Sequence, residues 1–201
     1  MDKKGLELSM TIIVTIIISV LVFLGGMTMV WRFFGSTTEI QGAIDQNTKN
    51  QIEALLRDSN DLVAIPINSK MVNSGKEATF GLGVRNIQET QGFYVRIDFA
   101  GIFDSRGQKI EDIEPNPDYV EEQWLGNFQE QGPVSIAKNK FEIIPLRVRA
   151  AAMISGTQQT PRNSMAVFNV CVFAGNPGGE CELSNKMNVY DKIRQVIIEV
   201  R

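Results

Sequence analysis

Between Leu8 and Trp31 the chain carries no charged residue, and the run TIIVTIIISVLVFLGGMTMVW is dominated by Ile, Val and Leu. At 1.5 Å per residue this stretch is about 36 Å long as a helix, against a hydrocarbon core of about 30 Å. Inside lipid every backbone N–H and C=O must be satisfied within the segment, so the run is expected to be helical despite its β-branched residues. Trp31, Phe33 and Phe34 sit where an interfacial aromatic belt belongs, with Arg32 among them. The expectation is one transmembrane helix over 6–34. The run is too long for the h-region of a cleaved secretory signal, and no A-x-A-like site follows it. Lys3, Lys4 and the amino terminus on a very short head, against Arg32, Lys49 and Arg57 beyond, place the N-terminus in the cytoplasm. The C-terminal part is then extracytoplasmic.

The rest of the 201 residues has ordinary soluble composition, with room for one domain. A net charge of −3 argues against a nucleic-acid partner, which calls for a basic patch. The sequence contains no histidine. That excludes Ser-His-Asp and Cys-His nucleophile arrangements and imidazole metal sites. There is no G-x-G-x-x-G, Walker or G-x-S-x-G motif and no N-x-[ST] sequon. The expectation is a non-enzymatic protein with no cofactor, whose partners are the membrane and other envelope proteins or copies of itself; a small-molecule ligand is not expected.

Lys3-Lys4-Gly5 running directly into the apolar helix resembles the class III signal of archaeal type IV pilins and archaellins. That resemblance covers about the first 35 residues and implies an archaeal surface protein. It also implies that a membrane peptidase cuts between Gly5 and Leu6, freeing the helix to pack into a filament core. Many pilins carry glutamate at the fifth mature position, where this chain has Met10; its nearest acid is Glu7. Residues 1–5 therefore read either as a prepilin-like leader or as a cytoplasmic head bearing topology charges. Thr11, Thr15 and Ser19 recur every four residues on one helix face, with Gly25 and Gly26 further along. Small polar residues at this spacing allow close helix packing, or their hydroxyls bond back to carbonyls one turn earlier.

Gly35 interrupts the apolar run, and Ser36-Thr37-Thr38-Glu39 matches a capping box. Ile40, Ala43, Ile44, Ile52, Leu55 and Leu56 then recur at roughly helical spacing. An amphipathic stalk helix is expected from about Ser36 to Arg57, within a segment 35–60. Its apolar face requires a partner, either the domain's own sheet or a neighbouring copy.

Beyond residue 60 the period changes to two. Ala78, Phe80, Leu82 and Val84 alternate with Thr79, Gly81, Gly83 and Arg85, and Phe93, Val95, Ile97 and Phe99 with Tyr94, Arg96 and Asp98, leaving a polar outer face. Further runs lie at Leu62–Ile67, Phe141–Val148, Ala166–Phe173 and Lys192–Val200. They are separated by turn signals at Asn73-Ser74-Gly75, Ser105-Arg106-Gly107, Asn116-Pro117, Gly132-Pro133 and Asn176-Pro177-Gly178-Gly179. About seven short antiparallel-type strands over 61–201 predict a β-sandwich. The stretch from Ile136 to Val148, followed by Ala166–Val172, resembles the later strands of immunoglobulin-like domains on prokaryotic surface proteins. A pilin-like helix ahead of such a sandwich is similar in architecture to the accessory (stator) proteins of the archaellum motor.

Cys171 and Cys181 flank a loop containing the Asn176–Gly179 turn, and in an extracytoplasmic domain they are expected to pair. Glu111, Asp112, Glu114, Asp118, Glu121 and Glu122 crowd one inter-strand segment. They read as a solvated acidic loop in preference to a Ca²⁺ site, because Pro115 and Pro117 break the ligand spacing. Tyr119, Trp124 and Phe128 in the same segment are a candidate contact patch.

Overall fold

A computed structural model describes residues 14–23, 44–110, 113–181 and 189–201. Two compact units emerge, 1–43 and 44–201. In the first, residues 14–23 form helix α1, and its apolar side chains, from Val14 to Phe23, are half to two-thirds exposed on every face. Among the described residues no helix is long and apolar enough to cross a membrane; the rest of the expected span lies outside them. Gly5, Leu6, Thr11, Gly25, Gly26 and the Ser36–Glu39 box are likewise outside the described residues. Where the helix is described, the Ser19 hydroxyl donates to the Thr15 carbonyl at 2.8 Å, a back-bond to the preceding turn.

The second unit is mainly β, with two sheets on one core. Its helix α2 spans Gln46–Asp58. The single helix expected from Ser36 does not run through this point: Asp45 is extended, and its carboxylate accepts the Thr48 N–H at 2.7 Å as an N-cap. Eight strands follow: β1 (Val63–Ala64), β2 (Ser69–Val72), β3 (Glu77–Arg85), β4 (Gln91–Asp104), β5 (Glu130–Ile136), β6 (Phe141–Arg149), β7 (Ser164–Ala174) and β8 (Arg194–Val200). They build a three-stranded sheet in the order β1-β3-β6 and a five-stranded sheet in the order β2-β8-β7-β4-β5. All pairings are antiparallel except β2 with β8, which is parallel. The all-antiparallel expectation is corrected there.

Period-two patterning puts Phe80, Leu82 and Val84 of β3 and Leu146 and Val148 of β6 into the same core as Phe93, Val95 and Ile97 of β4, Phe168 and Val170 of β7, and Val196 and Ile198 of β8. The opposite face of β3 is occupied too. A Cβ at Gly83 would stand 2.8 Å from Leu56 Cδ1, and one at Gly81 2.8 Å from Ile52 Cδ1. The two glycines thus open a groove in which Ile52 and Leu56 of α2 are fully buried beside Ala64, Phe141 and Ile143. Arg85 Nη1 donates to the Leu56 carbonyl at 2.9 Å, occupying an acceptor in the last turn of α2. The amphipathic helix therefore finds its partner in the chain's own sheet.

Two turn signals have other roles. Asn116-Pro117 opens α3 (Pro117–Val120), with Asn116 as N-cap and Pro at the first helical position. Gly132-Pro133, a cis peptide, lies inside β5, an edge strand where a residue lacking an N–H is tolerated. In β4 a bulge between Phe99 and Gly101 shifts the register, so Ile102 faces the core in the second half of the strand. Trp124 is buried, and its Nε1 donates to the Met153 carbonyl at 3.1 Å. That removes Trp124 from the expected contact patch, while Phe128 packs 5.0 Å from the Arg147 guanidinium.

Candidate functional site

The β4–β7 part of the outer face of the five-stranded sheet, expected to be polar and outward, is instead covered by the segment that follows β7. Tyr94, Arg96 and Asp98 of β4 lie in register with Phe173, Cys171 and Asn169 of β7. Past Gly175, in the left-handed region at φ 83°, the chain turns back across this face, and Cys171 and Cys181 are joined by a disulfide. Gly178 stacks against the Phe173 ring so closely that a Cβ there would overlap it. Both sulfurs, Phe173, Tyr94, Val189 and Ile193 form a small apolar cluster separate from the main core.

Covering a sheet face buries its polar groups, and the carboxylates and amides beneath the segment are partnered. Asp98, 7% exposed, accepts Arg96 Nε on both oxygens, at 2.8 and 2.9 Å, and also the Cys181 backbone N–H. Asn169 donates to the Cys181 carbonyl and accepts from Gln195 Nε2 at 3.0 Å. Arg96 Nη1 bonds Glu130 on β5. Glu121 accepts the Phe99 N–H at 2.8 Å and a bond from Gln129 Nε2. Burial pushes the Glu121 carboxyl above its usual range and nearby Asp98 adds to this, while the Phe99 hydrogen bond and Arg96 oppose it. An ionised carboxylate is purely an acceptor, and both of these direct lone pairs at backbone donors. Asp98 fastens the covering segment at Cys181, and Glu121 fastens β4 at Phe99.

Between the covering segment and edge strand β5 lies a cleft of about 280 Å³, lined by Tyr94, Arg96, Glu130, Phe173, Pro177 and Gly178 among others. The β4–β5 register shifts between Phe93 and Val95, which bends β5 beside this opening. No sequence motif marks the cleft. The signals available were Arg96 and Asp98 two residues apart on one strand face and the two cysteines beyond.

The acidic segment is not gathered into a site by the described residues. Glu114 and Asp118 are exposed, Glu121 turns toward β4, and Glu111 and Asp112 lie outside the described residues. No group of three or more acidic or cysteine side chains able to hold a metal occurs among the described residues.

No protein-family model matches the chain, and no curated protein does. Among solved structures it is similar to the class 5 fimbriae chaperone CfaA, at 15% identity and a TM-score of 0.32, over 68% of this chain and 54% of that one. It is also similar to the alkylpurine DNA glycosylase AlkC of Pseudomonas fluorescens, at 12% identity and a TM-score of 0.33, over 75% of this chain and 34% of that one. A family 123 glycoside hydrolase from Clostridium perfringens matches at 13% identity and a TM-score of 0.33, over 67% of this chain and 23% of that one. The chain spans about half or less of the length of these three proteins. Similarity at this level carries no functional argument.

Proposed function

We propose that this chain is a non-enzymatic, single-pass membrane-anchored surface protein whose extracytoplasmic, immunoglobulin-like β-sandwich binds another component of the cell envelope, as a structural or filament-accessory part. The observation that carries the reading is helix α1, whose Val, Ile, Leu and Phe side chains are exposed and whose polar side chains are Thr15 and Ser19 alone, within an uncharged run from Leu8 to Trp31. A helix with so many exposed apolar side chains suits lipid or a bundle of like helices and is costly in water. The Cys171–Cys181 disulfide supports an oxidising compartment for the β domain. Lys3 and Lys4 support a cytoplasmic head. A binding role suits a domain whose buried carboxylates are engaged in holding its own backbone.

The basic head and the Gly5-Leu6 junction favour a second reading, a pilin-like subunit of a type IV pilus-like filament cut after Gly5. Intact mass spectrometry of the protein purified from membranes separates the two. A mass for the chain from Met1 supports the anchored accessory, whereas a mass for a chain beginning at Leu6 supports the filament subunit.

A further inference from the structure

We propose that helix α2 is a releasable strap: it lifts off the three-stranded sheet as a unit of its own while the sandwich behind it stays folded, and the segment it frees lengthens the link between residue 43 and Asp61. Its use as a tether rests on the anchored reading of the chain; the release itself does not. Three observations carry the inference.

The first is how shallowly α2 is seated. Of its 13 residues only Ile52 and Leu56 are buried, and Ile44, just ahead of the helix, supplies one more buried side chain. Among the described residues one hydrogen bond ties the helix to the sheet, from Arg85 Nη1 to the Leu56 carbonyl. The ion pair between Arg57 and Glu53 is internal to the helix. Elements held by so few buried contacts open at a lower free energy than the core. The second is the helix itself. Apart from the Asp45 cap, its first half holds Asn47, Thr48 and Asn50, poor helix formers, and its first turn has no acidic residue. A helix this short unravels once it leaves the sheet.

The third is a stop. Directly beyond α2 the bonding is dense: Asp61 pairs with Lys192 at 3.0 Å and Arg194 at 3.2 Å, and Asp191 accepts the Leu62 and Val63 N–H groups at 3.1 and 3.0 Å. The Leu62 carbonyl accepts the Arg85 N–H, and the Val63 carbonyl accepts Arg194 Nη2. Load arriving along the chain from residue 43 therefore meets α2 first and this clamp second. Residues 44–60 reach about 55–60 Å when extended, against about 20 Å for the helix. The groove opened by Gly81 and Gly83 fits Ile52 and Leu56 and gives the strap one seat to return to.

The test is native-state hydrogen exchange on the full chain in detergent micelles, with urea added below the unfolding range. The Ile52, Leu55 and Leu56 amides are expected to exchange about 100-fold faster than Phe168 and Val170 of central strand β7, with a weaker urea dependence. Leu62 and Val63 are expected to exchange with the β7 group. Ile198→Val, in the sandwich core, is expected to speed the β7 amides about threefold and leave those of α2 unchanged. Exchange of α2 at the β7 rate, an equal response of both to Ile198→Val, or opening of Leu62 and Val63 together with α2 overturns the proposal. Any of these leaves the membrane-anchored reading standing, because that is judged by mass and topology.

Discussion

Gly83 marks where the helix and the sheet meet. A side chain there would run into both Ile52 and Leu56. Gly83→Val is therefore expected to destabilise the domain by about 1–3 kcal/mol, the usual cost of overpacking, read as a lower denaturation midpoint. An unchanged midpoint would mean that α2 does not sit on β3. Glu121 gives a prediction with a definite sign. Its folded-state pKa is raised, so it costs stability above that value and nothing below the unfolded value of about 4.3. Glu121→Gln, which keeps an acceptor for the Phe99 N–H, is expected to match the parent chain near about pH 4 and to exceed it near about pH 7 in urea melts. A difference of the same size at both pH values would contradict the burial argument. The glycines were visible in the sequence as the polar phase of an alternating strand, but their meaning was not. Alternation shows that a face lacks large side chains; it does not distinguish a solvated face from one vacated for a helix.

At the scale of elements, the strands with clear alternation were legible: β3, the first half of β4, β6, β7 and β8 all fall where the period-two runs lie. The short strands β2 and β5 were not. Ser69–Val72 carries little alternation and pairs in parallel with β8, while the Gly132-Pro133 pair inside β5 has the composition of a turn. The outer face of β4 was misread for a related reason. Tyr94, Arg96 and Asp98 have the polarity of a solvated face, but the return of the chain at Cys181 covers them, burying Asp98 and leaving Tyr94 and Arg96 half-buried. The cysteine spacing hinted at that return, but not over which residues it would pass. Replacing both Cys171 and Cys181 by Ser is expected to cost about 2–3 kcal/mol, since the bridge spans ten residues of chain. It should also raise hydrogen exchange at the Cys181 amide, which is otherwise held by Asp98. Loss of stability with full protection at that amide would mean that the Asp98 contact, and not the disulfide, holds the segment down.

At the scale of the whole molecule, the chain divides into unit 1–43, of which helix α1 is described, and a β unit of two sheets over 44–201. The β unit buries its own core, sets α2 against β3 of one sheet and the disulfide-bonded segment against β4 and β7 of the other. Helix α1 keeps its Ile, Val, Leu and Phe side chains exposed, an arrangement that is costly in water. The expectation of an anchor rests on sequence alone, because twenty-odd apolar residues meet the length of a membrane span without tertiary information. The Arg96–Glu130 cleft was the least legible, because its walls come from three segments far apart in the chain. The central claim is that the helix holds the β domain outside the membrane, and protease accessibility in intact cells tests it directly. With a tag at the C-terminus, added proteinase K is expected to remove the tag signal without lysis, while a cytoplasmic marker stays intact. Tag protection until the cells are lysed would contradict the claim.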